Sequence, residues 1–347
     1  MSKLSEDRRI DPRIKALFGG FDLPAAADVA SREELIARSN SEEARAQFEG
    51  LQAFLGMSDT EEIAPSAGLT VTTETFTSSP DGNTVNIQYI RPQNGAQSDG
   101  PLPCVYYIHG GGMAQMSCYD PNYRAWGRII AQNGVAVAMV DFRNSVVASS
   151  APEVEPYPAG LNDCVSGLKW VAEQADALGI DASRIVIAGE SGGGNLTLAT
   201  GMKLLRDGDI GLIQGLYALC PFIAGSWPRD DLPSTIENNG ILLNLHHNNG
   251  RMGYGIEAFE AEDPLAWPLF ASSEDVIGLP PTTISVNECD PLRDEGIAFY
   301  RLLLESGVPA RCRQVMGTVH GTEVFPIACP DVSRDTARDL AALAVGN

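Results

Sequence analysis

The stretch RIVIAGESGGGNLT, from Arg184 to Thr197, decides the fold of this 347-residue chain. Its β-branched apolar run predicts a strand and the pattern after the glycines predicts a helix, so the turn between them carries Ser191. Gly189 and Gly193 lack the side chains that would collide in so tight a bend. The G-x-S-x-G pattern therefore predicts a nucleophile elbow, in which the serine stands clear of the sheet. A glycine-rich turn with an ordinary serine is the alternative, because the chain holds 35 glycines.

Length and charge restrict the class of protein. The length allows one large α/β domain with an insertion, or two modest domains. With 45 acidic and 24 basic residues, the formal net charge is −21. This charge repels phosphate groups, so we expect no nucleic-acid partner and no stable membrane association.

The start of the chain and the cysteines indicate the compartment. The first twenty residues are charged and lack an apolar signal core, and no later stretch approaches the ~18 apolar residues of a membrane span. The seven cysteines lack C-x-x-C spacing and are expected to be reduced core residues. We therefore expect a cytoplasmic protein.

Runs of strand length alternate with helical patterns through most of the chain. Two strands, Leu69 to Thr77 and Thr84 to Arg91, flank a Pro-Asp-Gly turn and predict an antiparallel edge. The later strand-like runs are Cys104 to Ile108, Val135 to Asp141, Arg184 to Ala188, Leu212 to Leu219, Thr283 to Asn287 and Arg311 to Val315. This alternation predicts an α/β fold, with a mostly parallel central sheet flanked by helices.

Two segments do not follow this alternation. Residues 31–55 are rich in Glu, Ala, Arg and Leu and open with a capping-box pattern, which predicts a helical N-terminal arm. Residues 224–268 contain no run suited to a central strand, which predicts an insertion.

Only four histidines are available as a base for Ser191, which needs a group to accept its proton. His246 and His247 are adjacent in the insertion, so their side chains point in different directions, which favours surface or lid residues over a metal site. His109 precedes three glycines and is interpreted as an orienting residue of that loop. His320 follows the last strand-like run, where a loop can bring its imidazole to the serine.

Asp290 is the candidate acid that orients the histidine. It follows the run Thr283 to Asn287, and Pro291 prevents that strand from continuing. The carboxyl ends of parallel strands are where such sheets place their sites. Glu288 is the alternative acid. The order Ser191, Asp290, His320 is that of the α/β-hydrolase fold.

The glycines after His109 can bind the negative charge that develops on a carbonyl oxygen during attack. Backbone N–H groups suit this role, and Gly110 and Gly111 would act with Gly192, the residue after the serine. A loop that merely turns a corner and a phosphate cradle are the alternatives. The phosphate cradle is disfavoured because neither phosphate-binding glycine pattern occurs at a strand-to-helix junction.

Four ordered motifs resemble those of bacterial hormone-sensitive-lipase-like esterases. They are HGGG at 109–112, GESGGGNL at 189–196, DPLRDEG at 290–296 and HG at 320–321. The resemblance implies an α/β-hydrolase fold with a helical cap, and ester hydrolysis without a cofactor or a metal. Dimers are frequent in this family, so a homodimer is an open alternative to a monomer.

The resemblance also implies roles and boundaries. Ser191 becomes the nucleophile, His320 the general acid and base, and Asp290 its orienting partner, with Gly110, Gly111 and Gly192 as the oxyanion hole. Residues 1–60 and 224–268 become the two parts of the cap. Residues 61–223 and 269–347 become the catalytic core.

This chain departs from the family pattern at three places. Glu190 and Gly192 stand where family members commonly have Asp and Ala, and the YRLAPE-like segment is interrupted by residues 144–150. Thr322 stands where an aromatic or aliphatic residue is frequent, so acyl selectivity cannot be transferred from the family.

The sequence thus predicts a serine carboxylesterase acting on a small ester of short to medium chain length through an acyl-enzyme. The same triad could instead act on an amide, a lactone or an acetylated metabolite. A ligand-binding protein that kept the hydrolase fold is a further alternative, and the presence of His320 argues against it.

Overall fold

A single mixed sheet dominates the computed structural model, which describes residues 2–20, 26–93 and 100–346. Within those ranges the strands are β1 Leu69–Thr77, β2 Thr84–Pro92, β3 Leu102–Ile108, β4 Ala136–Asp141, β5 Ile180–Glu190, β6 Gly215–Leu219, β7 Thr282–Asn287 and β8 Ala310–Val315. Their spatial order is β1-β2-β4-β3-β5-β6-β7-β8. The pairs β1–β2 and β2–β4 are antiparallel and the other neighbours are parallel. This is the predicted α/β-hydrolase architecture, including its antiparallel edge.

Helices cover both faces of the sheet because alternate residues of each buried strand point in opposite directions. On β3, Tyr106 belongs to one core cluster and Tyr107 to the other. The first cluster packs beneath α6 Ala159–Glu173, α8 Gly192–Asp207 and α13 Arg293–Glu305. The second packs beneath α5 Pro121–Ala131 and α14 Pro330–Val345.

The N-terminal arm is divided more finely than predicted. It contains α1 Lys3–Glu6, α2 Pro12–Phe18, α3 Arg32–Ser39 and α4 Glu42–Leu55. The single helix expected over residues 31–55 is broken because the Ser41 side chain accepts the N–H of Ala44 and caps a new helix. The predicted start at Ser31 is confirmed, since its hydroxyl accepts the N–H of Glu34.

The other helices are short. They are α7 Ala175–Leu178, α9 Ser234–Glu237, α10 Asn249–Tyr254, α11 Ile256–Glu260 and α12 Ser273–Val276. Residues 224–268, all of which the structure describes, contribute no strand to the sheet. The strand predicted from Leu212 begins only at Gly215, because residues 210–212 form a 3-10 turn.

The N-terminal segment, residues 2–60 as far as they are described, packs on the insert, residues 224–268. Asn248 exchanges two hydrogen bonds with the backbone of Val29, at 2.9 and 2.8 Å. Arg9 donates to the side chain of Asn238 at 2.9 Å. The predicted boundaries 1–60, 61–223 and 269–347 also include residues 1, 21–25, 94–99 and 347, which lie outside the described residues.

Among the described helices, none has both the length and the apolar character needed to cross a bilayer.

Candidate active site

Ser191 lies at the turn between β5 and α8, at the carboxyl edge of the sheet. Its backbone has φ +57° and ψ −118°, a conformation that L residues seldom adopt. The turn is held because the Ser191 N–H donates to the carbonyl of Leu219 at 2.9 Å. A Cβ at Gly193 would lie 2.0 Å from the carbonyl oxygen of Ile108, so the turn requires glycine there. The local geometry is the strained elbow that the sequence predicts.

Asp290 and His320 are paired. Asp290 follows β7 and is fully buried, and its Oδ2 lies 2.8 Å from Nδ1 of His320. The other carboxylate oxygen of Asp290 accepts the N–H of Leu292 at 2.9 Å. Since an ionised carboxylate only accepts hydrogen bonds, Nδ1 carries the proton and Nε2 is the nitrogen that can act as a base.

The pKa of His320 lies well above its ordinary value. Burial is the largest influence, and it lowers the pKa because it disfavours the charged imidazole. The charge and the hydrogen bond of Asp290 raise the pKa, and Cys220 also raises it. We attribute the upward shift to Asp290, because its contact with the imidazole is direct.

Glu288, the alternative acid, has a different partner. Its carboxylate accepts the N–H of Gly317 at 2.7 Å and so braces the loop that carries His320. The structure therefore pairs the imidazole with Asp290 rather than with Glu288.

Ser191 and His320 line the same cavity, whose volume is about 540 Å³. The N-terminal segment contributes Phe18, Leu35 and Phe54 to its walls. The insert contributes a further set of residues, which are Leu242, Leu243, Asn244, Leu245, His247, Asn249 and Gly250. Val146, from the loop that interrupts the YRLAPE-like segment, also lines the cavity. The walls are mostly apolar, and they come from parts of the chain that are distant in sequence.

The glycine loop after β3 approaches the cavity through Gly111 and Gly112. These residues have φ +91° and +65°, values that favour glycine. A Cβ on Gly192 would lie 2.7 Å from the amide nitrogen of Gly112, so the loop lies directly against the residue after the nucleophile. Gly111 and Gly112 thus line the cavity together with Ser191, and Gly192 lies directly against Gly112.

The prediction that Gly110 supplies an oxyanion donor is wrong. Its N–H donates to the hydroxyl oxygen of Tyr123 at 2.9 Å, inside the protein. A backbone amide has one hydrogen to donate, and here that hydrogen is already used. Gly112, the third glycine of the HGGG motif, reaches the cavity instead.

His109 is a buried structural residue, as its interpretation in the sequence requires. Its ring stacks on Phe142 with centroids 4.3 Å apart, and Nδ1 lies 2.9 Å from the carbonyl of Gly110. Burial lowers the pKa of His109 despite the nearby Asp141. His109 therefore stays neutral and holds the loop.

The two histidines of the insert have separate surroundings. His246 bonds the carbonyl of Thr235 at 2.9 Å, whereas His247 lines the cavity.

Among the described residues, Cys220, Asp290 and His320 have possible ligand atoms within 4.8 Å of one another. Burial raises the pKa of the Cys220 thiol to about 11. The acid and the imidazole already satisfy each other. The Asp290–His320 contact is the arrangement that proton transfer requires.

Glu190 lies buried beside the nucleophile and has two tyrosine partners. Tyr107 donates to one carboxylate oxygen at 2.8 Å and Tyr123 to the other at 2.5 Å. Burial raises the pKa of Glu190 to about 7, and the two hydroxyls oppose that rise. Sequence reasoning noted Glu190 as a departure but missed both tyrosines, since they stand within ordinary apolar strand and helix patterns.

Comparison with known proteins places these features in context. A family model described as alpha/beta hydrolase fold matches residues 105–324. Carboxylesterase NlhH of Mycobacterium tuberculosis is 35% identical over 248 residues, which are 70% of this chain and 73% of that protein. The structure of esterase Est22 is 68% identical, with a TM-score of 0.97, and the match covers 100% of both chains. Brefeldin A esterase, described as a bacterial homologue of human hormone sensitive lipase, is 36% identical with a TM-score of 0.85, over 99% of this chain and 95% of its own.

Proposed function

We propose that Ser191, His320 and Asp290 are the catalytic triad of this chain. The chain belongs to the hormone-sensitive-lipase-like branch of the alpha/beta hydrolase family and is a carboxylic ester hydrolase. The observation that carries this proposal is the 2.8 Å contact between Asp290 and Nδ1 of His320, at the cavity that Ser191 also lines. This contact leaves Nε2 of the imidazole as the base for the serine hydroxyl.

The reaction then follows from the arrangement. Ser191 Oγ attacks the ester carbonyl while Nε2 of His320 takes its proton, and the same nitrogen returns that proton to the leaving alcohol. Water hydrolyses the acyl-serine in the second half, with His320 again as the base. Asp290 stays ionised and stabilises the imidazolium that forms in both halves.

The oxyanion hole of this proposal consists of the amides of Gly111, Gly112 and Gly192. Support comes from the lining of the cavity by Gly111 and Gly112, and from the close approach of Gly192 to Gly112. Each such donor typically contributes about 10²- to 10³-fold to the rate.

In this proposal, residues 1–60 and 224–268 form a cap over the active site. The proposed substrates are esters of short to medium acyl length. Residues from both segments wall the cavity above Ser191, and its surface is mainly aromatic and aliphatic. An apolar enclosure of about 540 Å³ suits an acyl chain because burying that chain removes apolar surface from water.

The test measures hydrolysis of p-nitrophenyl acetate, butyrate and octanoate by the unchanged protein and by Ser191→Ala and His320→Ala. Both variants should lose turnover while keeping the thermal unfolding transition. His246→Ala is the matched control, since this histidine bonds a backbone carbonyl instead of the acid, and it should keep kcat. Turnover retained by Ser191→Ala would refute the assignment.

A further inference from the structure

We propose that Tyr123 and Glu190 are positioning residues of the oxyanion hole, which fasten the glycine loop at Gly110 so that the next two amides face the substrate. This inference rests on the proposed function, since it concerns the same site. It gives Gly110 a structural role in place of the donor role that its motif predicts.

The connection is a continuous chain of hydrogen bonds. The carboxylate of Glu190 accepts the hydroxyl of Tyr123 at 2.5 Å, and the oxygen of that hydroxyl accepts the N–H of Gly110 at 2.9 Å. Because the amide of Gly110 can only donate, the tyrosine oxygen accepts from it and the hydroxyl hydrogen is directed to the carboxyl group. The direction of each bond is thus set by the backbone amide.

The loop also rests directly on this pair. A Cβ on Gly110 would lie 2.0 Å from Oε1 of Glu190 and 3.0 Å from the Tyr123 hydroxyl. No other residue type fits unless the carboxylate moves. Gly110 therefore lies directly against the side chain of Glu190, the residue that precedes the nucleophile.

The location of Glu190 explains why it can act on the reaction. It is the last residue of β5 and immediately precedes Ser191, so one residue of the elbow sets the position of the loop opposite. The nucleophile and the amides that bind the oxyanion are thereby fixed relative to each other. Preorganised donors are effective because they need not reorganise during the reaction.

Burial makes this chain of contacts strong and specific. Tyr107 and Tyr123 are almost fully buried, and Glu190 is 4% exposed. Water therefore has little access to replace a lost partner, and hydrogen bonds are stronger in such surroundings.

Tyr107 offers a matched comparison. It donates to the second oxygen of the same carboxylate, at 2.8 Å, but makes no hydrogen bond to the glycine loop in the described structure. If Glu190 served only to stabilise the fold, loss of either tyrosine hydroxyl would have the same effect on catalysis. If the chain positions the loop, only the loss of Tyr123 should reduce transition-state stabilisation.

The experiment compares Tyr123→Phe and Tyr107→Phe in hydrolysis of p-nitrophenyl butyrate, with binding of a phenylboronic acid as a probe of the tetrahedral state. Tyr123→Phe should lower kcat about 10- to 100-fold with KM within about threefold, because a loosened loop loses part of the effect of its donors. Its affinity for the boronate should fall by a similar factor. Tyr107→Phe should change each quantity by less than about threefold.

Equal losses of kcat in the two variants would overturn the proposal, and so would an unchanged kcat in Tyr123→Phe. If Tyr123→Phe does not fold, Glu190→Asp replaces it in the experiment. The shorter side chain moves the carboxyl group away from the Tyr123 hydroxyl by one methylene. Ser191→Ala, measured in parallel, distinguishes failure of the proposed triad from failure of the positioning role. Retained activity in Ser191→Ala would refute the triad. An inactive Ser191→Ala together with equal losses of kcat in the two tyrosine variants would refute only the positioning role.

Discussion

At the scale of single residues, the site uses a different acid for each of three tasks, and two of these acids, Asp290 and Glu190, are buried. Asp290 orients His320, and Glu288 holds the loop that carries the imidazole. Glu190 accepts hydrogen bonds from two tyrosine hydroxyls. Carboxylates of similar chemistry thus acquire different roles through their partners. The charge of Asp290 has the most direct effect on the reaction, because it controls the proton affinity of the base.

Changing Asp290 to Asn should lower kcat on the order of 10³- to 10⁴-fold, because the imidazole loses its orienting acceptor. His320 must be neutral to act as base, so the activity of the unchanged protein is lost as pH falls through the raised pKa of His320. Without the carboxylate charge that pKa falls, and the acid limb of kcat/KM should move to lower pH. Asp294→Asn is the control, because Asp294 accepts the N–H of Ser234. This variant should keep the pH profile of kcat/KM. An acid limb that stays in place in Asp290→Asn would contradict this account.

At the scale of elements, the strand-turn-helix unit around Ser191 was the most predictable part of the chain. The glycines in the sequence predict the turn directly, because a turn this tight excludes side chains. The break between α3 and α4 was not predicted, since the composition of residues 31–55 is helical throughout and only the caps mark the division. The motif HGGG was also recognised, but a sequence does not show which of three glycine amides is already bonded to a tyrosine.

Replacing Gly193 by Ala should lower the free energy of unfolding by about 2–3 kcal/mol, because the new Cβ meets the backbone of β3. The comparison is Gly211→Ala, where an added Cβ has open space and no backbone strain. Urea denaturation of both variants measures the difference. Equal stability of the two would show that the elbow tolerates a side chain.

At the scale of the whole molecule, the cavity is assembled from segments far apart in the chain. Sequence reasoning identified both segments as interruptions of the strand and helix rhythm. It could not show that Asn248 pairs with the backbone of Val29, because such a contact depends on the folded path of more than two hundred residues. The start of the insert is tied to the core by Glu295, which accepts Trp227 Nε1 at 2.8 Å and the N–H groups of Ile223 and Ala224.

The stability of the molecule should depend on pH through Glu295. Burial raises its pKa to about 8 from an ordinary 4.5, and hydrogen bonds from Ile223, Trp227 and Ala224 oppose that rise. The folded chain then binds a proton that the unfolded chain releases, so its contribution to stability falls as pH rises from about 5 to 8. The slope is at most about 1.4 kcal/mol per pH unit.

Urea denaturation across this pH range tests the role of Glu295. Glu295→Gln should make the decline shallower than in the unchanged protein, and Glu190 leaves a residual slope because its pKa is also raised, to about 7. Glu305→Gln, on the exposed side of the same helix, should leave the slope as it is. A Glu295→Gln variant with the slope of the unchanged protein would contradict the assignment.

Covalent labelling tests the central claim most directly. Diethyl p-nitrophenyl phosphate phosphorylates an activated serine and releases one p-nitrophenolate for each site. The protein should release one equivalent and gain one diethylphosphoryl group, which peptide mapping should locate on Ser191, and His320→Ala should react far more slowly. Absence of an adduct, or an adduct on any other residue, would contradict the account.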